Sequence, residues 1–251
     1  MAMVLALLLP ATASAQLAQR HSFNANGNVQ MVGNGLLTCT ATTGNANTNC
    51  AAHQGGTGTN GHNGGRTMQY IHVSPAGLPG GAPANSSTAN LVMPAGAEVL
   101  SAGLYWSGRW RTSNGGGQTA ANRWNIYLKR PGDASYAQLQ AGTGTGQRND
   151  FTGNISGLDN GTWRPYTAHV DVTAQVQQPG AGVYAVGGLS SQHGAGDTLG
   201  YYGGWALIVI YRHASEPFRR LMVFDGNAGY VQSGGSAATT ISGLLTPPSG
   251  N

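Results

Sequence analysis

Charge is what this sequence has least of. Aspartate, glutamate, lysine and arginine make up 8% of 251 residues, against about 25% in ordinary soluble proteins. Lys129 is the only lysine among twelve cationic residues, which disfavours a phosphate-cradling loop built on a lysine. The net charge of +4 is dispersed: only Arg109 with Arg111, Lys129 with Arg130, and Arg219 with Arg220 come close together. No basic stripe of the density nucleic acid needs is present, so no nucleic-acid partner is expected. Eight acids are scattered (Glu98, Asp133, Asp150, Asp159, Asp171, Asp197, Glu216 and Asp225), and nothing in their spacing points to the carboxylate pair of a glycan hydrolase. No run of 18 apolar residues exists, so no membrane-spanning segment is expected beyond the leader discussed below. Gly-x-Ser-x-Gly, His-Glu-x-x-His and Walker motifs are all absent. Gly56-x-Gly58-x-x-Gly61 matches a dinucleotide fingerprint as text only, lacking a strand before it and a helix after it. No catalytic residue and no cofactor are expected.

Glycine fills much of the gap, at 41 residues, with abundant Asn, Thr, Ser and Gln. Residues 4–15 form an apolar run closed by Ala13-Ser14-Ala15, the hydrophobic core and small-residue cleavage site of a secretory signal peptide. Met1-Ala2-Met3 lacks the usual basic start. The sequence thus divides into a signal peptide over 1–15 and a single domain over 16–251, secreted or held at the cell surface. Cys39 and Cys50, an even and close pair in an exported chain, read as a disulfide closing Thr40–Asn49. Two metal-bound thiolates are the alternative, without the tight spacing of a zinc site.

Helical periodicity is nearly absent, and no repeat of 20–50 residues is present. Apolar residues alternate with polar ones in Leu100–Trp106, Trp124–Lys129 and Tyr166–Val172, each with its even positions facing a core. Trp205–Tyr211 is apolar on both sides and short, which predicts a central strand covered on both faces. Leu221–Phe224 is expected to pair with it as a hairpin through Arg212–Arg220, with Asp225-Gly226 marking the next turn. A short helical turn over Asp171–Val176 is predicted, capped by Asp171 or Thr173 and ended by Pro179-Gly180. Gly/Asn/Thr-rich stretches at 44–66, 112–120 and 141–162 read as long loops. The fold class is all-β: an antiparallel β-sandwich, jelly-roll-like, with long Gly/Asn-rich loops and at most one or two short helical turns.

Five ordered words carry a family resemblance. They are Gly27–Asn34 with Leu36–Cys39; Leu91–Leu100 running into Ala102–Trp106; Asp171-Val172-Thr173; Gly204–Arg212; and Arg220–Gly226. Over residues 23–251 the chain resembles the N-terminal domain of large bacterial surface or secreted adhesin-like proteins. In that family conserved repeats, some isopeptide-forming or fimbrial in type, follow downstream. The resemblance implies a jelly-roll-like sandwich at a cell surface, with repeat domains of the same chain after Pro247-Pro248 and a sheet truncated here. It carries no catalytic residue.

Several residues are candidates for contact. Arg109-Trp110-Arg111 and Trp163-Arg164 place indoles beside guanidinium groups at loop margins, as a sugar-stacking surface would, and Tyr201-Tyr202 joins them. Covering the outer face of the sheet is the competing role. His53, His62 and His72 could hold a metal only if a rigid element positioned them, so no metal is expected. Asp225-Gly226-Asn227 and Gly196-Asp197 offer oxygen ligands to calcium, with turn formation the simpler reading. Asn85, Asn154 and Asn160 head glycosylation triplets that, in a bacterial chain, would only mark loops. The expected function is a non-enzymatic extracellular surface module. A carbohydrate-binding module is the alternative, and a glycan hydrolase with an unrecognised carboxylate pair a further one. The partners in view are an extracellular surface or a glycan.

Overall fold

The computed structural model describes residues 16–40, 50–55, 63–111, 122–144, 146–150, 163–195, 200–227 and 241. In chain order the elements are β1 (Gln16–Gly35), β2 (Leu37–Cys39), α1 (Cys50–Gln54), β3 (Thr67–Tyr70), β4 (Ser86–Leu91) and β5 (Glu98–Arg111). A 3-10 turn (Asn122–Trp124) leads into β6 (Asn125–Lys129), β7 (Ala137–Gln140), β8 (Arg148–Asp150) and β9 (Trp163–Asp171). The rest are α2 (Thr173–Gln177), β10 (Gly182–Gly187), β11 (Gly194–Ala195), β12 (Gly203–Arg212) and β13 (Phe218–Asn227).

Every strand pairing is antiparallel. A six-stranded sheet in the order β13-β1-β12-β5-β9-β8 faces a four-stranded sheet, β4-β10-β6-β7, with a small β11-β3-β2 sheet beside them. The fold is an all-β sandwich. Alternation places the core as the sequence predicts. Ala102, Leu104, Trp106, Tyr166 and Ala168 from the large sheet meet Ile126, Leu128, Tyr184 and Val186 from the smaller one. Trp106 and Trp205 are opposite one another in register and both are buried. Their indole N–H groups donate to the Arg123 carbonyl and to the Ser87 hydroxyl, each at 2.9 Å, so neither polar atom is stranded in the core.

Trp205–Tyr211 lies inside β12, between β1 and β5, as its two-sided apolar character requires. Odd positions Trp205, Leu207 and Val209 face the main core. Ile208 and Ile210 face a second cluster with Leu221, Val223, Phe23, Val29 and Leu100. The cover on that side comes from a source the sequence reading did not anticipate. Leu221–Phe224 does not pair with β12; it pairs with the first half of β1. The second half of β1 pairs with β12. The Asn26 carbonyl accepts from His213 N–H at 2.8 Å, while Gly27 N–H donates to the Pro217 carbonyl at 3.4 Å. Successive residues of a strand direct their amides to opposite edges, so β12 and β13 flank β1 on opposite sides. The link 213–217 carries the chain from one to the other. Gly27 marks the change of partner, where a Cβ would stand 2.2 Å from the Tyr211 carbonyl oxygen.

The ribbon formed by residues 16–26 and β13 curls over the sheet. The Tyr105 hydroxyl of β5 donates to Asp225 of β13 at 3.1 Å. Three strand spacings of about 4.8 Å separate those strands within a flat sheet, too far for that bond. Two irregularities set this face. Register slips between Ile210 and Tyr211 where they meet β5, so Val99 turns into the main core and Leu100 into the second cluster. A second slip leaves Arg20 as the extra residue between Gln19 and His21, and such bulges re-aim a side chain.

Asp225-Gly226 is therefore strand, not turn: the two residues pair with Ala18 and Leu17. The helical turn over 173–177 forms, with the Asp171 carboxylate accepting Thr173 N–H at 2.8 Å. The Thr173 hydroxyl instead takes the Ala102 N–H. Five residues from Cys50 are helical within a stretch read as loop. Asn85 is fully buried. Its side chain bonds the Leu189 amide and carbonyl at 2.9 and 2.8 Å, so that triplet marks a structural cross-link, not an exposed loop. Asn154 and Asn160, the stretch 112–120, most of 141–162 and residues 1–15, expected to be a signal peptide, fall outside the described residues.

Candidate functional site

The two Trp-Arg words converge. The end of β5 runs antiparallel to the start of β9, pairing Arg109 with Pro165, Trp110 with Arg164 and Arg111 with Trp163. Convergence does not make an exposed platform. Trp110 is 5% exposed and belongs to the main core, a correction to its reading as a loop-margin indole. The Arg123 guanidinium lies between two indoles, 4.3 Å from the Trp110 ring centroid and 4.2 Å from that of Trp124. It also grips the Asp150 carboxylate in a two-pronged contact. Arg109 is fully buried, with its guanidinium on the Gly200 carbonyl at 3.0 Å. Tyr201 is buried too, and burial pushes the Tyr202 phenol above its ordinary pKa. Arg164 is half-buried. The side chains of Arg111 and Trp163 fall outside the described residues. Trp110 is covered because the 3-10 turn brings the Arg123 guanidinium over its indole.

A cleft of about 320 Å³ opens elsewhere, on the outer face of the large sheet beside the ribbon. Its floor follows from register. Gly204 of β12, Ser107 of β5, Thr167 of β9 and Asn149 of β8 stand in one cross-strand row. Ala206, Tyr105 and His169 stand in the next. Rows two residues apart share a face, so four strands present one surface. Asp225 and Gly226 of the ribbon form its far wall. Arg20 binds Asp225 through Nε at 2.6 Å to both carboxylate oxygens.

Tyr105 and His169 pack ring to ring, centroids 4.4 Å apart and tilted by 34°. Room for the imidazole comes from Gly103, where a Cβ would stand 3.0 Å from Nε2. His169 is 5% exposed, and neither ring nitrogen has a hydrogen-bond partner. Burial draws its pKa below the ordinary value, with Asp225 opposing; it is held neutral near pH 7. Burial, then the Asp225 charge, drives the Tyr105 phenol well above its usual range. These groups escaped the sequence reading. The available signal was the polar, odd-numbered side of two alternating strands, which carries Tyr105, Ser107, Thr167 and His169. No local pattern showed that a ribbon from both ends of the domain would wall that side.

The described carboxylates are all engaged. Asp225 pairs with Arg20, Asp150 with Arg123, Asp133 with Arg130, Glu98 with Arg212 and Glu216 with Arg219. Asp171 accepts the Thr173 N–H from just outside α2, whose N-cap is Val172 rather than Asp171 or Thr173. Asp225 is thus committed to Arg20 and Tyr105 rather than offered to calcium. Asp197, Gly196, His62 and the side chains of His53 and Asn227 lie outside the described residues. His72 is exposed, and among the described residues no group of three His, Cys, Asp or Glu side chains gathers as metal ligands.

Cys39, ending β2, and Cys50, opening α1, are joined in a disulfide with Cα atoms 5.8 Å apart. Among the described residues no helix is long and apolar enough to cross a membrane. The class these features define is a disulfide-bonded, antiparallel all-β sandwich. Comparison with protein-family models, with curated proteins and with solved structures finds no match.

Proposed function

We propose that this chain is a non-enzymatic, exported β-sandwich module that works at a surface outside the cytoplasm, adhesin-like in presenting a rigid body to what it touches. The observation that carries this reading is the commitment of every described carboxylate to an arginine or a backbone amide. Acid–base catalysis requires a titratable group within reach of a substrate proton, and here the acids join separate elements (Asp225, Asp150, Glu98) or fix local turns (Asp133, Glu216, Asp171) instead. The disulfide supports export, since such bonds persist in oxidising compartments. The resemblance noted above agrees, and it adds repeat domains of the same chain as partners.

Expression of the full chain with residues 1–15, followed by fractionation, tests the reading. The protein should appear outside the cytoplasm, cleaved after Ala15 and resistant to thiol alkylation until reduced. Retention in the cytosol with two reactive thiols would overturn it.

A second reading, a carbohydrate-binding module, is favoured by one observation: the carbon-lined cleft with neutral polar groups on its floor. Pockets for small ligands are characteristically apolar with a few placed polar groups, and start at roughly 300 Å³.

A further inference from the structure

We infer that the cleft between the ribbon and the outer face of the large sheet is a binding site for one neutral pyranose ring, such as the terminal sugar of a glycan. This assignment rests on the carbohydrate-binding reading and names its site.

Charge excludes the alternatives first. Among the described residues the one acid on the wall, Asp225, is already held by Arg20 and by the Tyr105 hydroxyl, so a cationic ligand finds no open carboxylate there. An anion would meet that same carboxylate and an uncharged imidazole, with the nearest guanidinium consumed. A neutral ligand faces neither cost.

Shape and hydrogen bonding then narrow the class. The row Gly204, Ser107, Thr167, Asn149 keeps the floor low across four strands, about 14 Å at 4.8 Å per spacing. Beside it the Tyr105–His169 ring pair makes a wall. A pyranose has a carbon-hydrogen face that packs on such rings and an edge of hydroxyls. Ser107 already donates to the Tyr166 carbonyl and Asn149 to the Gly146 carbonyl, which leaves the Asn149 side-chain oxygen and the Ser107 hydroxyl oxygen as acceptors for that edge.

The test is a titration of the full, isotope-labelled chain followed by NMR. Methyl glucopyranoside, galactopyranoside and mannopyranoside are the probes, with glucuronate, glucosamine and cyclohexanol as comparisons. At least one neutral pyranoside should give saturable shifts at the His169 ring nitrogens and at the amides of Ser107, Thr167, Gly204 and Ala206. Glucuronate, glucosamine and cyclohexanol should bind at least about tenfold more weakly. Ala206→Ile fills the floor and should abolish the shifts, while Met31→Ser, on the exposed side of β1, should leave them intact. Should Ala206→Ile not fold, the shift map of the unaltered chain decides alone. No saturable shift from any neutral pyranoside, shifts centred away from the cleft, or equal binding of cyclohexanol or a charged sugar would overturn the assignment. Fractionation answers a different question: an exported chain with a silent cleft loses only this inference, and a cytosolic chain that binds the pyranoside loses only the export reading.

Discussion

Arg20 and Asp225 lock the two chain ends of the sandwich together, the arginine placed at a bulge so that its Nε lies 2.6 Å from both carboxylate oxygens. Both side chains are mostly buried, at 19% and 16% exposure. Glu98 and Arg212, by contrast, pair at 56% and 57% exposure. Asp225→Asn should therefore cost on the order of 2–4 kcal/mol, because a largely buried cation loses its partner. Glu98→Gln should cost no more than about 1 kcal/mol. Urea denaturation of both variants checks this, and equal effects would show that the ribbon pair contributes no more than a surface pair.

The Trp205–Ser87 hydrogen bond ties the large sheet to the small one. Removing the acceptor alone, in Ser87→Ala, leaves a buried indole N–H unmet and should cost about 1–3 kcal/mol. In a Trp205→Phe background the same change should cost much less, since no donor is then stranded. A double-mutant cycle with no coupling between the two sites would refute the link.

Reduction of the Cys39–Cys50 bond frees a loop eleven residues long in sequence separation. The chain-entropy account gives about 2–3 kcal/mol for a loop of that size. The paired Cys39→Ser, Cys50→Ser variant should fold with its urea midpoint lowered accordingly. An unchanged midpoint would show that the bond contributes nothing to stability.

Stability should fall in mild acid through His169. Desolvation lowers the pKa of its imidazole; Asp225 and Asp171 act against this, and Arg20 and His21 with it. Below the ordinary value near 6.5 the unfolded chain takes up a proton that the folded chain still refuses. Stability is then full above 6.5 and declines as pH drops toward the lower folded value, by up to about 1.4 kcal/mol per pH unit. His169→Phe keeps a ring against Tyr105 and removes the proton site. Its stability profile should run flatter than the parent's between pH 7 and 5, and parallel profiles would rule this coupling out.

What the sequence made legible was local. Alternation gave the inward faces correctly over Ala102–Trp106 and Tyr166–Val172 but not at Leu100, which the register slip turns to the second cluster, and seven apolar residues from Trp205 gave a central strand. A close cysteine pair gave its cross-link. The misses share one cause: partners distant in the chain. Leu221–Phe224 follows β12 directly, so a hairpin was the natural reading, yet β1 lies between them after a separation of some two hundred positions. Asp225-Gly226 has turn chemistry, but pairing with Leu17 and Ala18 overrides it. Trp110 read as exposed because nothing near it in sequence announces Arg123 and Asp150. The cleft was invisible for the same reason, since its floor comes from four strands and its wall from the ribbon.

The arrangement of β1 bears on how the polypeptide acquires its shape. Its partners, β12 and β13, are the last strands described, so the first described strand to be synthesised waits unpaired for the last ones. Long-range closure of this kind is slow. A nascent molecule would stay open and vulnerable to proteases until residue 227 has been made, and only then could β1 be closed by both of its partners.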